Sequence, residues 1–180
     1  MDLVYEIQHS LDPEFCKKLV QKFETDNRRQ PGKIKDGIVP QIKDTSDLMI
    51  GRFRDWSNEC DILDKKLNEG LEQFIEFSRV NNVKDFDRSD INHNNHYQMQ
   101  KSGKFEWHND FLIQNNLMRV LTFMWYLNVP NEGGETDFIY KKVTPETGKL
   151  VIFPATWDKV YRECTTKNKY IITGWMWRII

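Results

Sequence analysis

Three cysteines in 180 residues, Cys16, Cys60 and Cys164, are too few, too scattered and odd in number for a disulfide framework. They predict a reducing compartment. The start, Met1-Asp2-Leu3-Val4-Tyr5-Glu6, has neither the basic nor the apolar region of a secretory leader, so a cytoplasmic protein is expected. No apolar run approaches the roughly 18 residues of a membrane span, and no membrane partner is expected. Neither sign of charge dominates: 26 Lys and Arg against 27 Asp and Glu leave a formal −1. That balance lacks the basic footprint of a nucleic-acid binder, and no nucleic-acid partner is expected. There is no Cys-x-x-Cys for zinc, no glycine-rich phosphate loop and no cysteine-protease signature. What remains is 39% hydrophobic and 29% charged, the profile of a globular protein with a core sized for one domain over 1–180.

The order of patterns predicts an α+β chain, with helical support over 1–90 and a β core over 91–180. Ser10-Leu11-Asp12-Pro13-Glu14 is a helix start: an N-cap acid, proline at the first position, an acid in the first turn. Phe15, Leu19 and Phe23 follow as an apolar stripe. Arg28 to Asp44, broken by Pro31, Gly32, Gly37 and Pro40, reads as a long loop. A second helix is predicted from about Asn58 to Val80, with Leu63, Leu67, Leu71, Phe74 and Ile75 inward. Beyond Asp90 the pattern is β. Arg119–Leu127 is apolar on both faces and predicts a central strand. Glu135–Tyr140, Lys149–Phe153 and Lys169–Trp177 follow, separated by Gly, Pro and Asn turns. Short strands so spaced indicate a sandwich or barrel with the helices outside.

His108-Asn109-Asp110 is the first candidate for chemistry. On an extended strand residues i and i+2 project to one side, so imidazole and carboxylate can converge on one ion. Such a pair supplies two ligands of the facial triad that holds non-haem Fe(II). A surface histidine hydrogen-bonded to its neighbour has the same sequence. The context bears on the choice: Ser102-Gly-Lys-Phe105-Glu-Trp-His108-Asn-Asp110, then Arg119 to Asn128, Gly133-Gly-Glu-Thr136-x-Phe138, Pro145-x-x-Gly148-Lys-Leu-Val-Ile-Phe153-Pro154, and Lys169-Tyr-Ile-Ile-Thr-Gly-Trp175. In that order the series resembles the 2-oxoglutarate- and Fe(II)-dependent oxygenases of the prolyl 4-hydroxylase type, over roughly residues 96–177.

The resemblance implies a double-stranded β-helix and a dioxygenase that hydroxylates a peptide or small-molecule substrate, releasing succinate and CO₂. Its cofactors would be Fe(II) and 2-oxoglutarate, with ascorbate as an accessory. His108 and Asp110 match the first two iron ligands. Lys169 matches the cation that pairs with the far carboxylate of 2-oxoglutarate, and Tyr126 the tyrosine that reaches the same carboxylate. Thr136 and Trp175 match pocket-wall positions. Gln98, with Gln100 near it, stands where relatives carry a tyrosine that contacts the co-substrate. The compact form is that of bacterial or phage-encoded members. The Arg28–Asp44 and Phe111–Leu117 loops are candidates for substrate contact.

One position departs from the family pattern. The second histidine ligand, normally followed by Arg-Gly, is replaced in Tyr161-Arg162-Glu163 by a tyrosine, with glutamate where the glycine belongs. None of the four histidines (His9, His93, His96, His108) follows His108. Tyr161 could complete the catalytic set as a phenolate ligand, against a phenol pKa of about 10. His93 or His96 could enter from elsewhere. A weakened two-ligand site, or a silent binding module on the same scaffold, is the third reading. A slip of the alignment would put Val160 or Lys159 at the ligand position.

Overall fold

The computed structural model describes residues 2–156, 161–163 and 165–180, with only the backbone at Ser102. Cys164, Lys159 and Val160 therefore lie outside the described residues.

Helix α1, Pro13–Thr25, starts where proline and its cap dictate. The Asp12 carboxylate accepts from the backbone N–H of Glu14 at 2.9 Å and of Phe15 at 3.2 Å. Its buried stripe is Cys16, Leu19 and Phe23, with Phe15 only half-buried. Asp12→Ala should cost about 1 kcal/mol, the usual worth of such a cap, read as a shift in the urea midpoint at unchanged slope. Helix α2, Ser57–Val80, buries Leu63, Leu67, Leu71, Phe74 and Ile75 as its spacing predicts. It also buries Gly70, where a Cβ would stand 2.5 Å from Leu150 Cδ2. Glycine there lets the helix lie directly on the sheet.

The strands are β1 (Tyr5–Ile7), β2 (Gln30–Pro31), β3 (Lys43–Met49), β4 (Gln98–His108), β5 (Ile113–Gln114), β6 (Leu117–Tyr126), β7 (Thr136–Phe138), β8 (Lys142–Val143), β9 (Leu150–Pro154), β10 (Tyr161–Glu163) and β11 (Lys169–Ile179). Their order is β1-β9-β6-β11-β4-β10-β7-β8, with β3 also on β4, β2 on β3 and β5 on β6. The first half is thus not purely helical: β1, β2 and β3 come from it. Strand β3, Lys-Asp-Thr-Ser-Asp-Leu-Met, carries no apolar alternation because Asp47 satisfies its polar side chains internally. Lys43 Nζ lies 3.0 Å from Asp47 Oδ2, and Thr45 Oγ1 donates to Oδ1 at 2.7 Å.

Strand β4 is the hinge of the architecture. Residues 98–102 pair with β11, whereas Phe105 and His108 pair with β10. The sheet therefore folds over itself along β4 as a double-stranded β-helix. Period-two alternation separates its faces. On β6, Leu121, Phe123 and Trp125 join the helices in one core, while Met124 and Tyr126 turn inward with Phe138, Val151, Phe153, Tyr161 and Ile171. Strand β6 lies between β9 and β11, the central place its apolar faces require. No helix among the described residues is long and apolar enough to cross a membrane.

Candidate metal and co-substrate site

His108 ends β4, and Asp110 follows just past the strand, buried. The imidazole Nδ1 donates to the Glu106 carbonyl oxygen at 2.7 Å, which in the neutral ring leaves a lone pair on Nε2. That Nε2 is buried, has no hydrogen-bond partner among the described residues, and lies 3.8 Å from Asp110 Oδ1. Phe105 stacks on the imidazole at 3.5 Å between centroids and 14° between planes, fixing its orientation.

Asp110 is oriented from its other oxygen. Thr122 Oγ1 donates to Oδ2 at 2.7 Å and the Tyr161 hydroxyl donates to the same atom at 2.9 Å. With Oδ2 taken by two hydroxyls, Oδ1 is the oxygen turned to His108. Burial, then the nearby carboxylates of Asp110 and Glu163, push the Tyr161 phenol well above its ordinary pKa. In this arrangement Tyr161 serves Asp110 as a hydrogen-bond donor. The Arg119 guanidinium lies 3.7 Å over the Trp175 ring, with Nη1 3.4 Å from the Asp110 carbonyl oxygen. Desolvation pulls its pKa down, and Asp110 and Tyr161 pull the other way.

A second cluster forms at the head of β11. Lys169 is fully buried, its Nζ 3.4 Å from Glu163 Oε2 and 5.4 Å from the Tyr126 ring centre. The Tyr126 hydroxyl shares a hydrogen bond with Thr136 Oγ1 at 2.6 Å. Lys169, Tyr126 and Thr136 thus meet. Gln98 does not join them. It pairs with Thr173, four residues beyond Lys169 on β11, and its amide donates to Asp47 Oδ2 at 2.5 Å. Here Asp47 on β3 holds that amide. Trp175 sits opposite Thr122, at the Asp110 end, with its buried Nε1 unpartnered among the described residues.

His93 is turned to Asp64 of α2, 3.8 Å away, and His96 is exposed. Among the described residues no group of three His, Cys, Asp or Glu side chains forms a metal set. The His108–Asp110 pair still fits a cation. A buried ring nitrogen without a hydrogen-bond partner among the described residues, facing a buried carboxylate oxygen 3.8 Å away, is a donor pair that a metal ion would satisfy. The Lys169 cluster fits a carboxylate. Thr122 and Glu163 escaped a reading based on single residues. Thr122 was signalled only as a lone small hydroxyl within an apolar strand, and Glu163 only by replacing glycine.

Residues 93–177 match the family model described as the 2OG-Fe(II) oxygenase superfamily. No curated protein matches the chain in sequence. Several solved structures share its fold. A viral collagen prolyl hydroxylase from Paramecium Bursaria Chlorella virus-1, in a 2OG complex, is 20% identical, with a TM-score of 0.67 over 99% of this chain and 97% of that one. A Trichoplax adhaerens prolyl hydroxylase, in complex with a hypoxia inducible factor peptide fragment, is 18% identical, with a TM-score of 0.70 over 98% and 83%. A Pseudomonas putida prolyl-4-hydroxylase is 14% identical, with a TM-score of 0.65 over 97% and 92%.

Proposed function

We propose that the chain, whose residues 93–177 match the 2OG-Fe(II) oxygenase superfamily model, is an oxygenase of that kind, hydroxylating a C–H bond of a peptide or small molecule while converting 2-oxoglutarate to succinate and CO₂. One observation carries this reading: the unpartnered His108 Nε2 facing Asp110 Oδ1. Bound Fe(II) and 2-oxoglutarate would supply the O₂-dependent oxidation. The chain's own residues bind and orient. His108 and Asp110 hold the metal, and Thr122 and Tyr161 fix the carboxylate, the kind of support that sets ligand geometry. Lys169, beside Tyr126 and Thr136, takes the far carboxylate of 2-oxoglutarate. Met124, Val151, Phe153 and Ile171 keep water from the lumen.

Substrate contact belongs to the His108 end. The Glu106 amide donates to the Ile42 carbonyl at 2.8 Å, so the end of the Arg28–Asp44 loop abuts the strand that carries the histidine. Exposed Ile42, Trp107, Phe111 and Ile113 flank that end in sequence and register, offering an apolar rim. The peptide in the Trichoplax relative favours a peptidyl substrate by analogy of fold.

A second reading is favoured by Tyr161, whose hydroxyl is spent on Asp110 where the family has a histidine ligand. Two ligands would bind iron weakly, and the scaffold could then serve recognition alone. Metal analysis after anaerobic reconstitution, with an assay for succinate, separates the two. Iron and succinate support the oxygenase; neither supports the binding module. His108→Ala should remove whatever iron the protein holds, leaving Asp110 as the only strong ligand on that segment. Equal iron in both proteins would take the His-x-Asp pair out of the site.

A further inference from the structure

The Lys169 ammonium has a carboxylate from its own chain as partner. Glu163 Oε2 lies 3.4 Å from Nζ, and both side chains are almost wholly buried. Register explains how the glutamate arrives there. On β10 it pairs with Thr136 of β7 and with Phe105 of β4, so it enters the lumen beside the Thr136–Tyr126 hydroxyl pair. A small glycine at this place would leave that space open. A buried ammonium can neutralise one carboxylate; a second, placed beside it, would leave a buried negative charge in excess. The far carboxylate of 2-oxoglutarate and that of Glu163 therefore need the same partner.

We propose that Glu163 is a built-in competitor of the co-substrate: its carboxylate holds Lys169 until a free dicarboxylate displaces it, and so sets the affinity for 2-oxoglutarate. The proposal rests on the reading of Lys169 as the co-substrate anchor. It deepens that reading by naming the residue that opposes binding. A tethered group acts at an effective concentration in the millimolar range, so a free acid well below that level competes poorly. Removing the tethered carboxylate leaves Lys169 without its partner, and an incoming 2-oxoglutarate then gains the whole ion pair rather than exchanging one for another.

The test is calorimetric titration of the full chain with 2-oxoglutarate, run anaerobically with Fe(II) and again without metal. The proteins compared are the unaltered one, Glu163→Gln and Glu163→Gly, each first checked for a cooperative melt. Both variants should bind at least about tenfold more tightly. They should also melt lower than the unaltered protein when empty, and recover more on adding 2-oxoglutarate. A residue with only a structural role would lower the melting temperature and leave the affinity unchanged. Equal affinity in all three proteins overturns the proposal and leaves the oxygenase reading standing. No binding by any of them at millimolar concentration removes Lys169 as the anchor, and both readings fall together. Glu163→Gln retains the side-chain length, so the comparison survives if the glycine variant does not fold.

Discussion

Lys169→Met should destabilise the protein by about 3–5 kcal/mol, the cost of leaving a buried charge without its partner. Lys169 is 0% exposed and Glu163 4%, so water cannot screen the carboxylate that remains. The double variant Lys169→Met, Glu163→Leu should recover most of the loss, because removing both charges also removes the desolvation penalty of each. Denaturant unfolding of the two single variants and the double variant measures the coupling. A single-variant loss below about 1 kcal/mol, as at an exposed ion pair, would mean that the pair is solvated in solution. The same substitution should abolish 2-oxoglutarate binding. Stability and affinity are separate readouts, and Glu163→Leu alone should affect the first adversely and the second favourably.

What could be read in advance follows from the range of the forces involved. Asp12, Pro13 and the Leu63–Leu67–Leu71 spacing are local signals: α1 begins where its cap puts it, and α2 begins and ends within a residue of its expected bounds. The apolar β6 announced its central place because both faces needed burial. Strand β3 announced nothing: its polar residues are satisfied by Asp47 and by register against β4, contacts between segments about 55 residues apart. The candidate site divides the same way. His108 and Asp110 are neighbours, and their spacing is legible. Thr122 and Tyr161 reach Asp110 from two other strands, and nothing in their own surroundings in sequence says so. Gln98 was placed by analogy, and its hydrogen bond to Asp47 of β3 had no local signal. The replacement at Tyr161-Arg162-Glu163 was visible at once, but that Glu163 would turn to Lys169 needed the strand pairing of β10.

Tyr161→His should give the largest gain of function that one substitution in this chain can offer. Tyr161 pairs with His108 across β4 and β10, their rings 4.3 Å apart, and its hydroxyl reaches Asp110 Oδ2. The position therefore faces both candidate ligands. A tyrosine extends farther from its Cα than a histidine, so its hydroxyl arrives at the carboxylate itself and satisfies it with a proton. An imidazole would stop short, offer a neutral nitrogen, and complete a 2-His-1-carboxylate set, a far better donor to Fe(II) than a protonated phenol. Thr122 would still hold Asp110 Oδ2. The substitution removes volume from a pocket lined by Phe138 and Phe153, costing stability of about 1–3 kcal/mol through lost packing. Iron affinity should rise at least about tenfold, or 1.4 kcal/mol, in anaerobic metal titration. Conversion of 2-oxoglutarate to succinate should rise with it, even with no substrate supplied. Combining Tyr161→His with Glu163→Gly should raise it further, since one change completes the metal set and the other frees Lys169. If the unaltered protein turns over 2-oxoglutarate as fast as the variant, Tyr161 or another group already completes the site. If iron binds no more tightly in the variant, the ligand position is not residue 161, and the alignment moves to Lys159 or Val160.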